Sequence, residues 1–567
     1  MANFFHKYHP KTYSKRLTYI LLSLYFITYS IAALAQKPTY FPIVPKDTSK
    51  KKKIEILKTD SLLYQTQELG KYRKLIGNVQ LKHQDALMFC DSAIIDIDAN
   101  YMTGYGKQVH IKKGDSVDVW GNYLEYFGDQ KLGRLTGMCS MRDKTMVLTA
   151  PELNYNTETD VGSYMSGGRV VNKETTITSA IGYYYHKNNE ALFYGDVILR
   201  SPENTIYADS MRYNTNKKIA YFITKTTIVD KDSNVIITNS GFYDTQNEKA
   251  NFGNNASIKK GTAKVTAKSI DYDKKTKIAI AEGNVIYQDS SNKTTILSNY
   301  IFSDENKALV KAHKDPLMIT VSSDEKDTMY LSADTLLSYK TISADSIKLN
   351  DTIPNNDSIK IVKAWYHMKM IQGKMSAVAD SMFYSEEDSI FKLYKFPILW
   401  MDSTQITGDS IYLYNHEKEI NRVDIFGNAF VINLQDAEVY NQIKGKFIQA
   451  FIANKKLQKI DVDGNAESIY FIKDKGAYNG ANKSTSAYIT VSFNDGEVKR
   501  IKLTGTPEAD FTPMKKISLS SFRLDGFKWN EALQPKSKYD VIRDKSQFEK
   551  YINGLPIKKT DLKSEKQ

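Results

Sequence analysis

The chain has 567 residues, a formal charge of +13, 41% hydrophobic residues and 38 Tyr against 4 Trp. That apolar content excludes a disordered chain, and the basic surplus fits either an anionic partner or a lysine-rich soluble surface. Its two cysteines, Cys90 and Cys139, exclude a disulfide scaffold and lack metal-ligand spacing. A bridge between them and two small buried thiols both fit the sequence.

Residues 1–35 read as a secretory signal peptide, with a basic start ending at Lys15 and Arg16 and the apolar run LTYILLSLYFITYSIAALA. Ala33-Leu34-Ala35 gives an A-x-A cleavage site before Gln36. The run is also long enough for a membrane anchor, but its small-residue ending and the lack of a following basic stop favour cleavage. Removing the leader's four cations, Lys7, Lys11, Lys15 and Arg16, leaves +9 of the +13. Residues 36–70 form a Pro- and Lys-rich linker.

From Lys71 to residue 340 the chain repeats itself about every thirty residues. Aligned on Asp209 in NTIYADSMRYNTNKKIAY, the copies fall at Asp91, Asn122, Pro151, Ala180, Asp209, Asn239, Lys268 and Ser298, then Asp334, Asp380 and Asp409. Three positions before these markers the column is apolar in ten of eleven copies, Thr295 being the exception. Four positions after them it is mostly aromatic, and Ser338 breaks the rule. Each copy reads as two β-rich runs around a polar turn such as NTETD, NTNKK or SDENK. The return runs carry a mid-strand Gly, as in IGNVQL, FYGDVIL and AEGNVIY, which predicts a bulge or sharp bend. Residues 341–362 disturb the period and read as a polar loop or seam. A second, more divergent array covers 363–515, and 516–567 form a charged C-terminal tail.

The Gly-Asn-Val runs alternating with ADS…Y runs resemble the OstA family, the periplasmic lipopolysaccharide-transport proteins of the LptA type, whose domain also begins LptD. IGNVQLKHQDALMFCDSAIIDID from Ile76 and AEGNVIYQDSSNKTTILSNYIFSDENK from Ala281 carry the likeness. It covers residues 70–340 well and 365–515 loosely. The resemblance implies an all-β, elongated, stacked antiparallel β-jellyroll of two-strand repeats whose groove carries lipopolysaccharide acyl chains. It implies a periplasmic, non-enzymatic protein that bridges toward the outer membrane and supports its assembly. Partners would be lipid A acyl chains, other lipopolysaccharide-transport components joined by edge-strand addition, and further copies of the chain head to tail. The chain is far longer than a minimal LptA and has no C-terminal stretch large enough for an LptD barrel. On this reading Met88, Val119, Leu148, Ile177, Ile206, Ile236 and Val265, with Tyr155, Tyr213 and Tyr243, line one continuous apolar trough. Self-filled protein core is the plainer account of the same columns, and it would make the chain a structural or adhesive β-solenoid.

No catalytic residue, metal site or cofactor motif is read from the sequence. The eight histidines are scattered, and no nucleophile elbow, Walker loop or H-E-x-x-H occurs. Asp209, Asp334, Asp380 and Asp409 recur at one repeat position. That recurrence fits a strand bend better than the single site a carbohydrate-active β-helix enzyme needs. Basic residues are dispersed among acidic ones, which gives no nucleic-acid stripe.

Overall fold

Met1–Lys52 and Lys53–Gln567 are separate units, and every described strand lies in the second. The computed structural model describes residues 52–64, 72–322, 327–342, 358–416, 419–454, 456–474, 476–494 and 497–554. The expected leader, the linker before residue 52 and most of the 341–362 seam lie outside them.

The chain is all-β, and its described strands, forty in number, join in one hydrogen-bonded sheet. Each long strand bends in its middle, so the sheet becomes two facing walls. The bend is a register slip. Strand Tyr72–His83 pairs antiparallel with Ala86–Asp96, but the register jumps between Ile76 and Val79. The two residues in the gap, Gly77 and Asn78, take φ of 82° and 47°. Two left-handed residues in succession leave one strand longer than its partner and turn it. The same device recurs at Gly195-Asp196, Gly283-Asn284 and Gly427-Asn428. Glycine is needed at the first place for space as well as for φ: a Cβ on Gly427 would lie 2.1 Å from Asp409 Oδ2. The mid-strand Gly of the sequence pattern is therefore the corner of each rung.

The repeat marker is the other half of that corner. The backbone N–H of Ala180, Lys268 and Asp409 donates to the carbonyl of Gly195, Gly283 and Gly427, each at 2.9 Å. A main-chain role explains why Asp, Asn, Ala and Lys all serve there. The sequence alignment slips by a single residue in one copy. The eighth corner is Asn299, not Ser298: its N–H donates to Lys314 O and its Oδ1 accepts from Asn284 N at 3.2 Å. The shift replaces Thr295 by Ile296 in the apolar column, so that column has no exception left.

The stack starts earlier than Lys71. Strands Glu55–Lys58 and Ser61–Tyr64, within the expected linker, pair with the two halves of Tyr72–His83 and form the first rung. At the other end, residues 514–554 fold back along the outside of the first wall. Phe522, Phe527 and Trp529 pack with Phe430, Ile432 and Phe471, and Val541, Ile542 and Phe548 pack with Leu297, Leu317 and Ile319. The strap is pinned by Arg543 Nη1 to Asp334 Oδ1 at 2.5 Å. Gln547 Nε2 also donates to the carbonyls of Val285 and Ser298, both at 3.0 Å. Cys90 and Cys139 are free and buried; burial pushes each thiol up to about 11.

Candidate functional site

The space between the walls is where alternate side chains of every strand meet. Across the second wall, cross-strand neighbours form a ladder of large and small residues. It runs Tyr126, Gly133, Tyr155, Gly162, Tyr184, Ala191, Tyr213, Ala220, Tyr243, Ala250, Tyr272, Ala279. Each Tyr lies over a Gly or Ala, the alternation that lets facing layers interdigitate. Tyr126, Tyr155, Tyr184 and Tyr213 are 0% exposed. Opposite them, Met88, Val119, Leu148, Ile177 and Ile206 of the first wall are 0–1% exposed. The interior from residue 75 to about 228 is thus filled by the protein's own side chains. The continuous trough expected from the sequence is not open there, because tyrosine rings occupy it.

The rows of turns along the open side of this region are also tied together. Lys113 Nζ pairs with Asp160 Oδ1 at 2.5 Å. Asp143 accepts from the Tyr184 hydroxyl and contacts His186 Nδ1 at 3.0 Å. Asn172 Nδ2 donates to Thr215 O at 2.9 Å, Asn204 Nδ2 to the Tyr243 hydroxyl at 3.0 Å, and Lys274 Nζ to Glu203 Oε2 at 2.9 Å. Burial pushes the Tyr126 phenol up to about 12, so it stays a neutral hydrogen-bonding group. Burial would also raise the Asp143 carboxyl, but hydrogen bonds from Tyr184, Thr145 and His186 outweigh it and hold the group below the usual carboxylate range.

The plug then fails. After Ala279 the ladder continues Ser303, Val310, Ser338, Val362 and recovers its ring only at Tyr384. Where a tyrosine would stand there is Ser303 and then Ser338. Phe302, the aromatic that the slipped alignment placed in this column, lies beside Ile280 and Lys311 and alternates with the inward Ile301 and Ser303. The result is a cavity of about 560 Å³, inside the roughly 300–1,000 Å³ range of small-ligand pockets. Its walls are apolar: Ile236, Ile258, Val265, Tyr287, Ile296 and Met318 among them. Its rim is charged, with Asp230, Lys260, Asp289, Glu305, Lys340 and Lys360. Lys260 Nζ and Glu305 Oε2 meet at 2.5 Å across it.

Of the ten residues singled out in the sequence, Ile236 and Val265 line this cavity. Met88, Val119, Leu148, Ile177, Ile206, Tyr155 and Tyr213 belong to the filled core, as does Tyr243, which is buried beside Asn204. The sequence pattern does not point to Ser303, which hides behind the one-residue slip. It shows Ser338 only as an irregular copy. Among the described residues no cluster of His, Cys, Asp or Glu could hold a metal ion. No described helix is long and apolar enough to cross a membrane, which says nothing of strands.

Two stretches of the chain, residues 51–209 and 196–268, match the family model described as OstA-like protein. Among solved structures, the chain is similar to one titled as the crystal structure of LptH, the LptA homologous periplasmic component of the conserved lipopolysaccharide transport device from Pseudomonas aeruginosa. The match has 14% identity and a TM-score of 0.18, and covers 20% of this chain and 84% of that one. No curated protein matches. Over residues 51–268, somewhat under half of its length, the chain is thus similar to OstA-like proteins.

Proposed function

We propose that this chain is a periplasmic lipopolysaccharide-transport protein that holds acyl chains in the cavity between its walls rather than along its whole length. The observation that carries the reading is the gap in the tyrosine ladder at Ser303 and Ser338, which opens an apolar space beside the mouth. Each methylene taken into it gains about 0.8 kcal/mol, enough to keep a fatty tail out of water. The filled region upstream then acts as a stiff spacer that sets the cavity's distance from the first rung.

The two ends of the stack differ in how well they suit strand addition. The last strands, Glu497–Thr504 and Glu508–Pro513, carry charges and a proline, the devices that discourage further pairing. The first strand pair instead exposes Leu57, Leu62, Leu63 and Tyr64. Strand addition by a transport partner, or by another copy head to tail, therefore belongs at the N-terminal edge. A photo-crosslinking residue at position 236 or 303 should capture lipopolysaccharide in cells, and one at 206 or 155 should not. Equal capture at all four, or capture only upstream, would refute a localised cavity. A structural β-solenoid without lipid is favoured by the filled upstream interior alone, and the absence of any capture would establish it.

A further inference from the structure

Resting on the tail-shielding reading, we propose that Lys340 and Lys360 form a binding site at the cavity rim for the phosphate monoester head of the amphiphile whose tails lie inside. The two residues are direct cross-strand partners on Thr335–Ile342 and Ser358–Gln372. They lie two residues beyond the partners Ser338 and Val362, so they share the inward face with the gap in the ladder. Both line the cavity. Like charges placed opposite each other on a sheet repel and destabilise the pair. Here one of them is also withdrawn from water: burial drives the Lys360 ammonium below its ordinary value, Asp289 and Glu386 pull it back up, and Lys340 pushes it further down.

Asp289 and Glu386 lie near enough to offset part of the Lys360 charge, but among the described residues no carboxylate forms an ion pair with either lysine. Glu386 accepts the backbone N–H of Lys360 at 2.9 Å. Asp289 is held by the Ser291 hydroxyl and the Asn292 amide, both at 2.6 Å. Glu305 is paired with Lys260, and Asp304 with Lys307 at 3.0 Å. Asp230 is held by Asn234 Nδ2 at 2.8 Å. Two juxtaposed ammonium groups, each with three donors, suit an anion of charge near −2 with three acceptor oxygens. A phosphate monoester has both properties at neutral pH. A carboxylate carries half the charge and one oxygen fewer.

The test uses the full chain in equilibrium dialysis against dodecyl phosphate, dodecanoate, dodecyl maltoside and inorganic phosphate, each amphiphile below its micelle-forming concentration. Dodecyl phosphate should bind about tenfold or more tighter than dodecyl maltoside, the scale of one charge-assisted hydrogen bond. Lys340→Gln with Lys360→Gln should erase that preference and leave maltoside binding unchanged, and the paired Lys→Arg variant should keep it. Equal binding of phosphate and maltoside heads overturns the rim site while leaving the tail cavity standing. Failure of every dodecyl amphiphile to bind overturns the tail cavity itself. Dodecanoate binding as tightly as dodecyl phosphate, or inorganic phosphate competing as well as it, overturns the assignment to a phosphate-headed amphiphile.

Discussion

If the cavity exists because the ladder lacks a ring at Ser303, then Ser303→Tyr should close it. The new side chain would stand between Ala279 and Val310, as Tyr213 stands between Ala191 and Ala220. Burying a large side chain yields about 1.5–3 kcal/mol. Leaving its hydroxyl without a partner costs about 1–3 kcal/mol. Tyr126 avoids that cost through Thr157 and Tyr155 through Asp160, whereas the buried Tyr213 hydroxyl has no hydrogen-bond partner among the described residues; a ring at 303 would have to find its partner at the rim. With a partner at the rim the ring adds about 1.5–3 kcal/mol; without one the net runs from about 1.5 kcal/mol lost to about 2 kcal/mol gained, where an insertion into a filled core would cost about 1–3 kcal/mol. Urea unfolding followed by hydrogen exchange in Leu309–His313 reads the stability, and crosslinking from position 236 reads the lipid. We expect exchange to slow or stay level and crosslinking to fall at least about fivefold, the loss of a few buried methylenes. The mirror change, Tyr213→Ser, should cost about 3–5 kcal/mol and open a void upstream. A folded Ser303→Tyr variant that still crosslinks lipid, or one that loses more than about 1.5 kcal/mol as an overpacked core does, would refute the reasoning.

Gly427→Ala should destabilise by about 1–3 kcal/mol, because φ is 65° and the added Cβ would meet Asp409 Oδ2 at 2.1 Å. Gly476→Ala, at φ 84° with nothing within 4 Å, should cost less in the same unfolding assay. The mouth upstream should loosen in acid: the depressed Asp143 carboxyl contributes stability above the ordinary Asp value of about 3.9 and loses it as pH falls through its lower folded value. Hydrogen exchange in Val147–Asn156 and Ile181–Tyr185 should therefore rise below about pH 4, and Asp143→Asn should remove that dependence.

Much of this fold is written in the sequence because each rung solves one geometric problem in the same way. The corner needs a residue with φ near +80°, so Gly recurs; the turn needs left-handed and side-chain-bonded positions, so Asn and Asp recur; the walls need inward apolar residues, so the columns appear. What the residues could not disclose is which inward positions touch protein and which touch open space. Ile206 and Ile236 occupy the same column, yet Ile206 is 1% exposed and Ile236 lines the cavity. The difference lies in the ring missing at Ser303, four strands along the ladder from Tyr243, not in either isoleucine. Nor did the pattern reveal that Phe522, Phe527 and Trp529 would return to the outer wall, since their partners Phe430 and Phe471 sit on strands whose other face already fills the core.

On the proposed reading the irregular copies would hold the ligand for the same physical reason that they broke the alignment. A regular rung fills its own interior, so a stack of regular rungs has no room for a ligand. Space appears only where the ladder drops a ring, and the markers around 298 and 334 are where the pattern faltered. The stretch that matches the OstA-like model ends at residue 268, while Ser303, Ser338, Lys340 and Lys360 all lie beyond it. Residues 75–228 supply the regular, closed stack, and the departure from regularity supplies the cavity. A chain built this way cannot pass a lipid along its axis through the tyrosine-filled rungs. Any acyl chain it holds must enter and leave sideways, between the rows of turns at the cavity's own mouth.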